Sequence, residues 1–137
     1  MEVNGGDNYS NIDHWTCEFA ERFYLILLQF VEPSTQIRDL LLLTIVAQSG
    51  EQGVTITEMV SYSGIPMSTV SRLKVIFCKN DWWEEFPDPE DARVTRVRMT
   101  DASIAGHQLW AQKMRDMCQE MCGKFQASLG LLLSFAC

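Results

Sequence analysis

Apolar positions recur along the chain with two different periods, and the change of period marks the elements. From Ser10 onward, Trp15, Phe19, Phe23, Ile26 and Phe30 follow steps of four, four, three and four, the spacing of one helical face. This first helix is expected to stop before Pro33, whose ring disfavours helical backbone at Glu32. Ser34 or Thr35 can cap a second helix carrying Ile37, Leu40, Leu41, Thr44 and Ile45. From Leu40 to Ala47 its apolar content runs nearly all round, as expected for a central, buried helix, and Gly50 and Gly53 end it. Residues 1–9, rich in Asn, Gly and Asp, are expected to fray.

Thr55-Ile56-Thr57-Glu58 has the form of a capping box and opens a short third helix through Met59, Val60 and Tyr62 to Gly64. After the turn, Pro66 suits the first position of a fourth helix. That helix is expected to point Val70, Leu73, Ile76 and Phe77 inward, leaving Ser68, Thr69, Ser71, Arg72, Lys74 and Lys79 largely outward. Two helices around a tight glycine turn, the second with a polar and basic outer face, make a helix-turn-helix pattern. The period then changes to two. Trp82 to Phe86 and Val94 to Met99 read as the strands of a β-hairpin around Pro87-Asp88-Pro89-Glu90-Asp91. Thr100 or Asp101 can cap a last, long helix carrying Ile104, Trp110, Met114, Met117, Met121, Phe125, Leu129 and Leu132, with Gly123 and Gly130 weakening its continuity. The fold class is therefore mainly α with a small β-hairpin wing. A winged helix-turn-helix at 35–100 is flanked by helices at 10–32 and 101–137, all within one domain over 10–137.

Length and composition narrow the class. The chain has 137 residues, 47% of them hydrophobic and 21% charged, enough for one core and not the composition of a disordered chain. Its apolar runs are too short to span a bilayer, and the acidic, polar start does not have the form of a signal peptide, so a cytoplasmic, nucleoid-associated protein is expected. Eleven Lys and Arg against eighteen Asp and Glu give a net charge of −7, which by itself argues against a nucleic-acid partner. The distribution argues the other way. Arg72, Lys74, Lys79, Arg93, Arg96 and Arg98 are six of the eleven cations, and Pro66–Asn80 and Ala92–Thr100 contain no acid. Between those stretches lies an acidic insert: Asp81, Glu84, Glu85, Asp88, Glu90 and Asp91.

Five cysteines, Cys17, Cys78, Cys118, Cys122 and Cys137, form no Cys-x-x-Cys pair. Cys118 and Cys122 share a helix face, but His14 and His107 do not complete a zinc ligand set, so buried thiols are the simpler reading and no metal or cofactor is expected. A redox role for one of the thiols stays open beside it. Neither histidine has an evident acid or nucleophile partner, and no glycine-rich phosphate cradle occurs, so an enzyme is not expected.

The order helix, helix, helix-turn-helix, hairpin, long helix resembles the MarR family of winged-helix transcriptional regulators. The resemblance rests on Gly64-Ile65-Pro66-Met67-Ser68-Thr69-Val70-Ser71-Arg72-Leu73 and on Asp88-Pro89-Glu90-Asp91-Ala92-Arg93-Val94-Thr95-Arg96-Val97-Arg98-Met99-Thr100, and residues 37–101 match best. Two departures stand out. Asn80-Asp81-Trp82-Trp83-Glu84-Glu85-Phe86 replaces the usual Gly-Leu-(Ile/Val)-x-Arg, and Pro66 stands where Ser or a similar cap is common.

Taken with the residues, this implies a double-stranded DNA partner. Ser68, Thr69, Ser71 and Arg72 are candidates for the major groove, Lys74 and Lys79 for phosphate, and Arg93, Arg96 and Arg98 for the minor groove or backbone. The resemblance makes Arg93 the wing-tip residue, held by Asp91, and a local ion pair fixing the hairpin is the companion reading. Apolar first and last helices that one copy cannot cover point to a homodimer on a pseudo-palindromic operator, most simply a repressor. The resemblance also implies a small aromatic effector near His14, Trp15, Phe19 and Trp110, although core packing accounts for the aromatic stripe as well. The rival reading is a winged-helix protein-interaction module that has lost DNA binding, supported by the net charge and by Glu84 and Glu85 on the strand leading into the wing.

Overall fold

A computed structural model describes residues 13–32 and 34–136, with side chains through residue 127 and at Gly130. Expectations for residues 1–12 and for the side chains of Leu129, Leu132 and Cys137 lie outside the described residues. The chain forms two compact units, one from its two ends, with Trp110 onward as the C-terminal part, and one from Glu32–Leu109.

In the first unit, α1 (His14–Leu27) lies beside the later turns of α5 (Asp101–Ala136). Asp13 caps α1 by accepting from the backbone N–H groups of Trp15 and Thr16. The helix ends well before Pro33, because the N–H groups of Gln29 and Phe30 turn back to the carbonyls of Ile26 and Leu27 in a tighter spiral. Phe30 therefore sits in the turn beyond the helix. The indole N–H of Trp15 donates to the Met121 carbonyl at 3.0 Å, and Met117 and Met121 are buried. Arg22 bonds Glu120 at 2.8 Å and Lys124 bonds Glu18 at 2.7 Å. Neither Gly123 nor Gly130 interrupts α5.

The second unit contains α2 (Ile37–Ser49), β1 (Val54–Thr55), α3 (Ile56–Ser63), α4 (Met67–Lys79), β2 (Trp83–Pro87), β3 (Thr95–Met99) and the first turns of α5. Gln36, not Ser34 or Thr35, caps α2, its N–H donating to Asp39 Oδ2 at 3.1 Å. Burial on α2 follows one stripe, Asp39, Leu42 and Val46, whereas Ile37 and Leu41 are exposed; the helix is covered on one face and not all round. The expected capping box at Thr55–Glu58 is present, and Gly64 closes α3 in the left-handed conformation, φ +72°, that favours glycine. Pro66 stands one position earlier than expected, as the cap of α4. Its ψ of 143° is extended, and its carbonyl takes the N–H groups of Thr69 and Val70.

The hairpin strands β2 and β3 pair antiparallel, with Glu84 opposite Arg98 and Phe86 opposite Arg96. A third strand, β1, joins the other side of β3 and gives the order β1-β3-β2. At two residues it is too short to produce an alternation in sequence. Gly53 makes this approach possible: a Cβ there would lie 2.5 Å from the Val97 carbonyl oxygen, and its φ is +65°.

The core of this unit joins Leu42, Val46, Met59, Val70 and Val97, with Trp83 only 2% exposed. The Trp82–Trp83 pair departs from the resembled pattern, and the packing explains it. Trp82 stacks on Phe77 at 5.4 Å while Trp83 meets the same ring edge-on at 4.8 Å, so two indoles clamp the last turn of α4. The turn between them is a Schellman closure, with Trp82 N–H on the Phe77 carbonyl and Asp81 N–H on that of Cys78. It holds Asp81 at φ +60°, where glycine is usual. Thr100 then ties the end of β3 to this turn. Its hydroxyl donates to the Asp81 carbonyl at 2.6 Å and accepts the Ser103 N–H, capping α5.

Candidate nucleic-acid interface

The helix-turn-helix geometry follows from local chemistry. The capping box starts α3, Gly64 stops it, and Ile65 is buried in the turn, so α4 departs with Val70, Leu73 and Phe77 on the core. The opposite face of α4 is set by arithmetic. Ser68, Arg72, Val75 and Lys79, spaced by four, three and four, form its outermost line. Ser68, Arg72 and Lys79 are exposed, and Thr69 and Ser71 are half-buried at the flanks. Among the described residues, Arg72 and Lys79 form no ion pair. Ile76, expected inward, is 40% exposed, because the core side of α4 is already filled by Leu73 and Phe77.

Lys74 differs from its neighbours. It faces β2 and is paired with Glu85, which fastens the helix to the wing. The wing cations are engaged too. Arg98 bonds Glu84 at 2.7 Å across the strand pair, with its guanidinium 4.3 Å from the Phe86 ring centre. Arg96, its side chain 19% exposed, donates to the carbonyls of Gln52 (2.8 Å) and Gly53 (3.2 Å) and to Asp88 (2.9 Å), and also lies near Glu58. It is a brace between the wing and the segment that enters β1.

Arg93 alone among the three projects from the tip, its side chain 91% exposed. Its Nε and Nη2 reach the two oxygens of Asp91 at 3.1 and 3.3 Å, and its backbone N–H bonds Asp91 as well. These bonds hold the Asp91 carboxyl below its ordinary pKa, the side-chain contact contributing most. Asp88 is likewise lowered, first by the Glu90 backbone N–H and then by Arg96. The tip is thus built from two carboxylates that organise the loop and two arginines of opposite exposure.

The sequence reading named all of these cations and the Asp91–Arg93 pair at the tip, which the structure has, but it did not separate the exposed Arg93 from the engaged Arg96 and Arg98. Which carboxylate meets which cation depends on strand register and on the packing of α4 against β2. Val75, 62% exposed within the outermost line of α4, was not singled out in sequence; its place between Arg72 and Lys79 is the signal that finds it.

The residues considered for an effector lie in the first unit. Trp15 and Phe19 stack at 5.6 Å and Phe125 packs on Trp15 at the same distance, while His14 is exposed and Trp110 half-buried. An open hollow of about 360 Å³ in that unit is lined instead by Arg22, Leu25, Ile26, Gln29, Lys113 and Met117, with Asp116 and Glu120. Among the described residues, Cys17, Cys78, Cys118 and Cys122 are free thiols, and the expectation of buried thiols is not met. Cys17 and Cys122 are exposed, on helices that one copy leaves largely uncovered, and Cys78 and Cys118 are half-buried, Cys78 with its pKa raised first by desolvation. No group of three or more metal-ligating side chains occurs among the described residues, and no helix among them is long and apolar enough to cross a membrane.

No protein-family model matches the chain, and no curated protein matches it. Solved structures do. MepR of S. aureus bound to ethidium bromide has a TM-score of 0.65 at 18% identity, covering 89% of this chain and 91% of that one. A MepR–DNA complex has 0.64 at 18%, covering 89% and 94%. Wild-type MarR of E. coli, in its apo form, has 0.55 at 18%, covering 88% and 93%. This chain has the MarR-type winged-helix fold.

Proposed function

We propose that the protein is a sequence-specific double-stranded DNA-binding transcriptional regulator, acting as a homodimer on a pseudo-palindromic operator and most simply as a repressor. One observation carries this reading: the outermost line of α4 presents Ser68, Arg72 and Lys79, neither cation forming an ion pair among the described residues, within a stretch from Pro66 to Asn80 that contains no acid. Arg can bond guanine bidentately in the major groove, Ser68 and the flanking Thr69 and Ser71 offer hydroxyls, and Lys79 is suited to phosphate. Arg93 at the wing tip is suited to the minor groove. Arg96, Arg98 and Lys74 contribute by holding the wing in place.

A homodimer is supported by what α1 and α5 leave uncovered. No residue of α1 is buried, and Tyr24, Leu25, Leu28 and Phe125 are exposed. A second copy would remove this surface from water and supply the second recognition helix. MepR has been solved with DNA and with ethidium bromide, and a small aromatic effector is proposed here by analogy. A non-enzymatic role in the cytoplasm, on the nucleoid, belongs to the same reading.

The test is fluorescence anisotropy of duplexes selected from random DNA, measured against scrambled duplexes across a salt series, with sedimentation velocity for the dimer. Selective binding that weakens steeply with salt supports the proposal. Absence of binding to any duplex at low salt supports the second reading, a protein-interaction module. That reading is favoured by the acidic partners that occupy Lys74, Arg96 and Arg98.

A further inference from the structure

Val75 lies in the middle of the polar and basic line of α4, one turn beyond Arg72 and one turn before Lys79, and is 62% exposed. Neither burial nor helix formation accounts for a β-branched apolar side chain there, since Val is a weaker helix former than Ala, Leu or Lys. The charge around it favours one kind of partner. No acid interrupts α4, so the surface is matched to phosphate, and the apolar group on the major-groove edge of DNA is the thymine C5-methyl.

We propose that Val75 is a specificity-determining residue that packs on a thymine methyl beside the guanine bonded by Arg72. This rests on the DNA-binding reading above and makes it specific. Three residues of helix advance about 4.5 Å, and base pairs stack about 3.4 Å apart, so the thymine lies one or two base pairs from the guanine. The selected operator carries that G–T signature once in each half-site.

The experiment replaces each thymine of a selected duplex by uracil, which removes one methyl and leaves Watson–Crick pairing intact. Binding of the full chain and of Val75→Ala is then measured at one fixed salt concentration. For the native protein, uracil at the signature position weakens binding about fourfold, the value of one buried methyl. Val75→Ala binds the thymine duplex about fourfold more weakly and no longer distinguishes it from the uracil duplex. An unchanged unfolding midpoint for Val75→Ala shows that the fold is intact, as its exposure leads one to expect. If uracil weakens both proteins equally, or neither, the assignment of Val75 is overturned while DNA binding stands. Binding to no duplex at low salt overturns both.

Discussion

Helix α4 and the wing each carry three of the cations that suit a nucleic-acid interface, yet they use them differently. On α4, Arg72 and Lys79 stand in solvent without ion pairs among the described residues, and only Lys74 is paired. In the wing, Arg93, Arg96 and Arg98 all have a carboxylate partner, and Arg96 is also bonded to two backbone carbonyls. Arginine number is therefore a poor measure of binding surface. A guanidinium held by carbonyls at 19% exposure is a structural part, and releasing it leaves polar groups without partners. A guanidinium free of partners costs the fold nothing when it binds elsewhere.

The strongest way to break this contrast is to remove the base on which the wing rests. Gly53→Ala is expected to cost about 3 kcal/mol in a urea titration, combining positive-φ strain with the clash on Val97 and Phe86. An equally stable variant would mean that β1 does not support the wing. Next, Arg72→Ala and Arg96→Ala should separate cleanly. The first is expected to weaken operator binding about 10- to 100-fold, relaxing the choice at one base pair, with the unfolding midpoint unchanged. The second is expected to lose about 1–2 kcal/mol of stability, with DNA affinity falling less than for Arg72→Ala and with no relaxation of the choice at any base pair. Equal loss of stability in both would erase the distinction between face and brace.

A smaller effect sharpens the contrast. Glu85→Gln frees Lys74, and if that lysine then reaches phosphate, the slope of log affinity against log salt steepens by about 0.9. An unchanged slope would mark Lys74 as a tether alone. Stability itself should move by less than about 0.5 kcal/mol, since Glu85 is exposed. The smallest effect is on pH dependence. Asp88 and Asp91 have lowered pKa values when folded, so their contribution is fully present above the ordinary carboxylate value and is lost as pH falls through the lower, folded one. The wing-tip amides of Glu90 and Arg93 are expected to hold their NMR shifts from neutral pH down to about 4 and to move only below it. Movement between pH 5 and 7 would argue against these bonds.

Much of this architecture was legible in the sequence because its signals are local. The capping box at Thr55–Glu58, the stop at Gly64, the alternation through Val97 and Met99 and a cap at Thr100 or Asp101 each act within a few residues, and the structure has each of them there, with Thr100 as the cap. Failures arose where distant groups decide. Strand β1 forms because β3 is there to receive it, and Ile76 is exposed because Leu73 and Phe77 have filled the space beneath α4. Ion pairing in the acidic insert depends on the register that sets Glu84 opposite Arg98, which no spacing rule supplies. The segment from Trp82 to Phe86 reads in sequence as an aromatic and acidic strand, and the contact that Trp82 and Trp83 share on Phe77 depends on how α4 packs beside it.

The Arg96 brace has a further consequence, in the order of assembly. Its bond to Asp88 spans 8 residues, and its bond to Gly53 spans 43. Closing the shorter loop costs less chain entropy, so the hairpin can form while the segment entering β1 is still unattached. An order in which Gly53 docks after the rate-limiting step has a kinetic signature. Gly53→Ala should accordingly act on the lifetime of the native state, raising the unfolding rate and leaving the refolding rate nearly as it was, which stopped-flow refolding and unfolding in urea would separate.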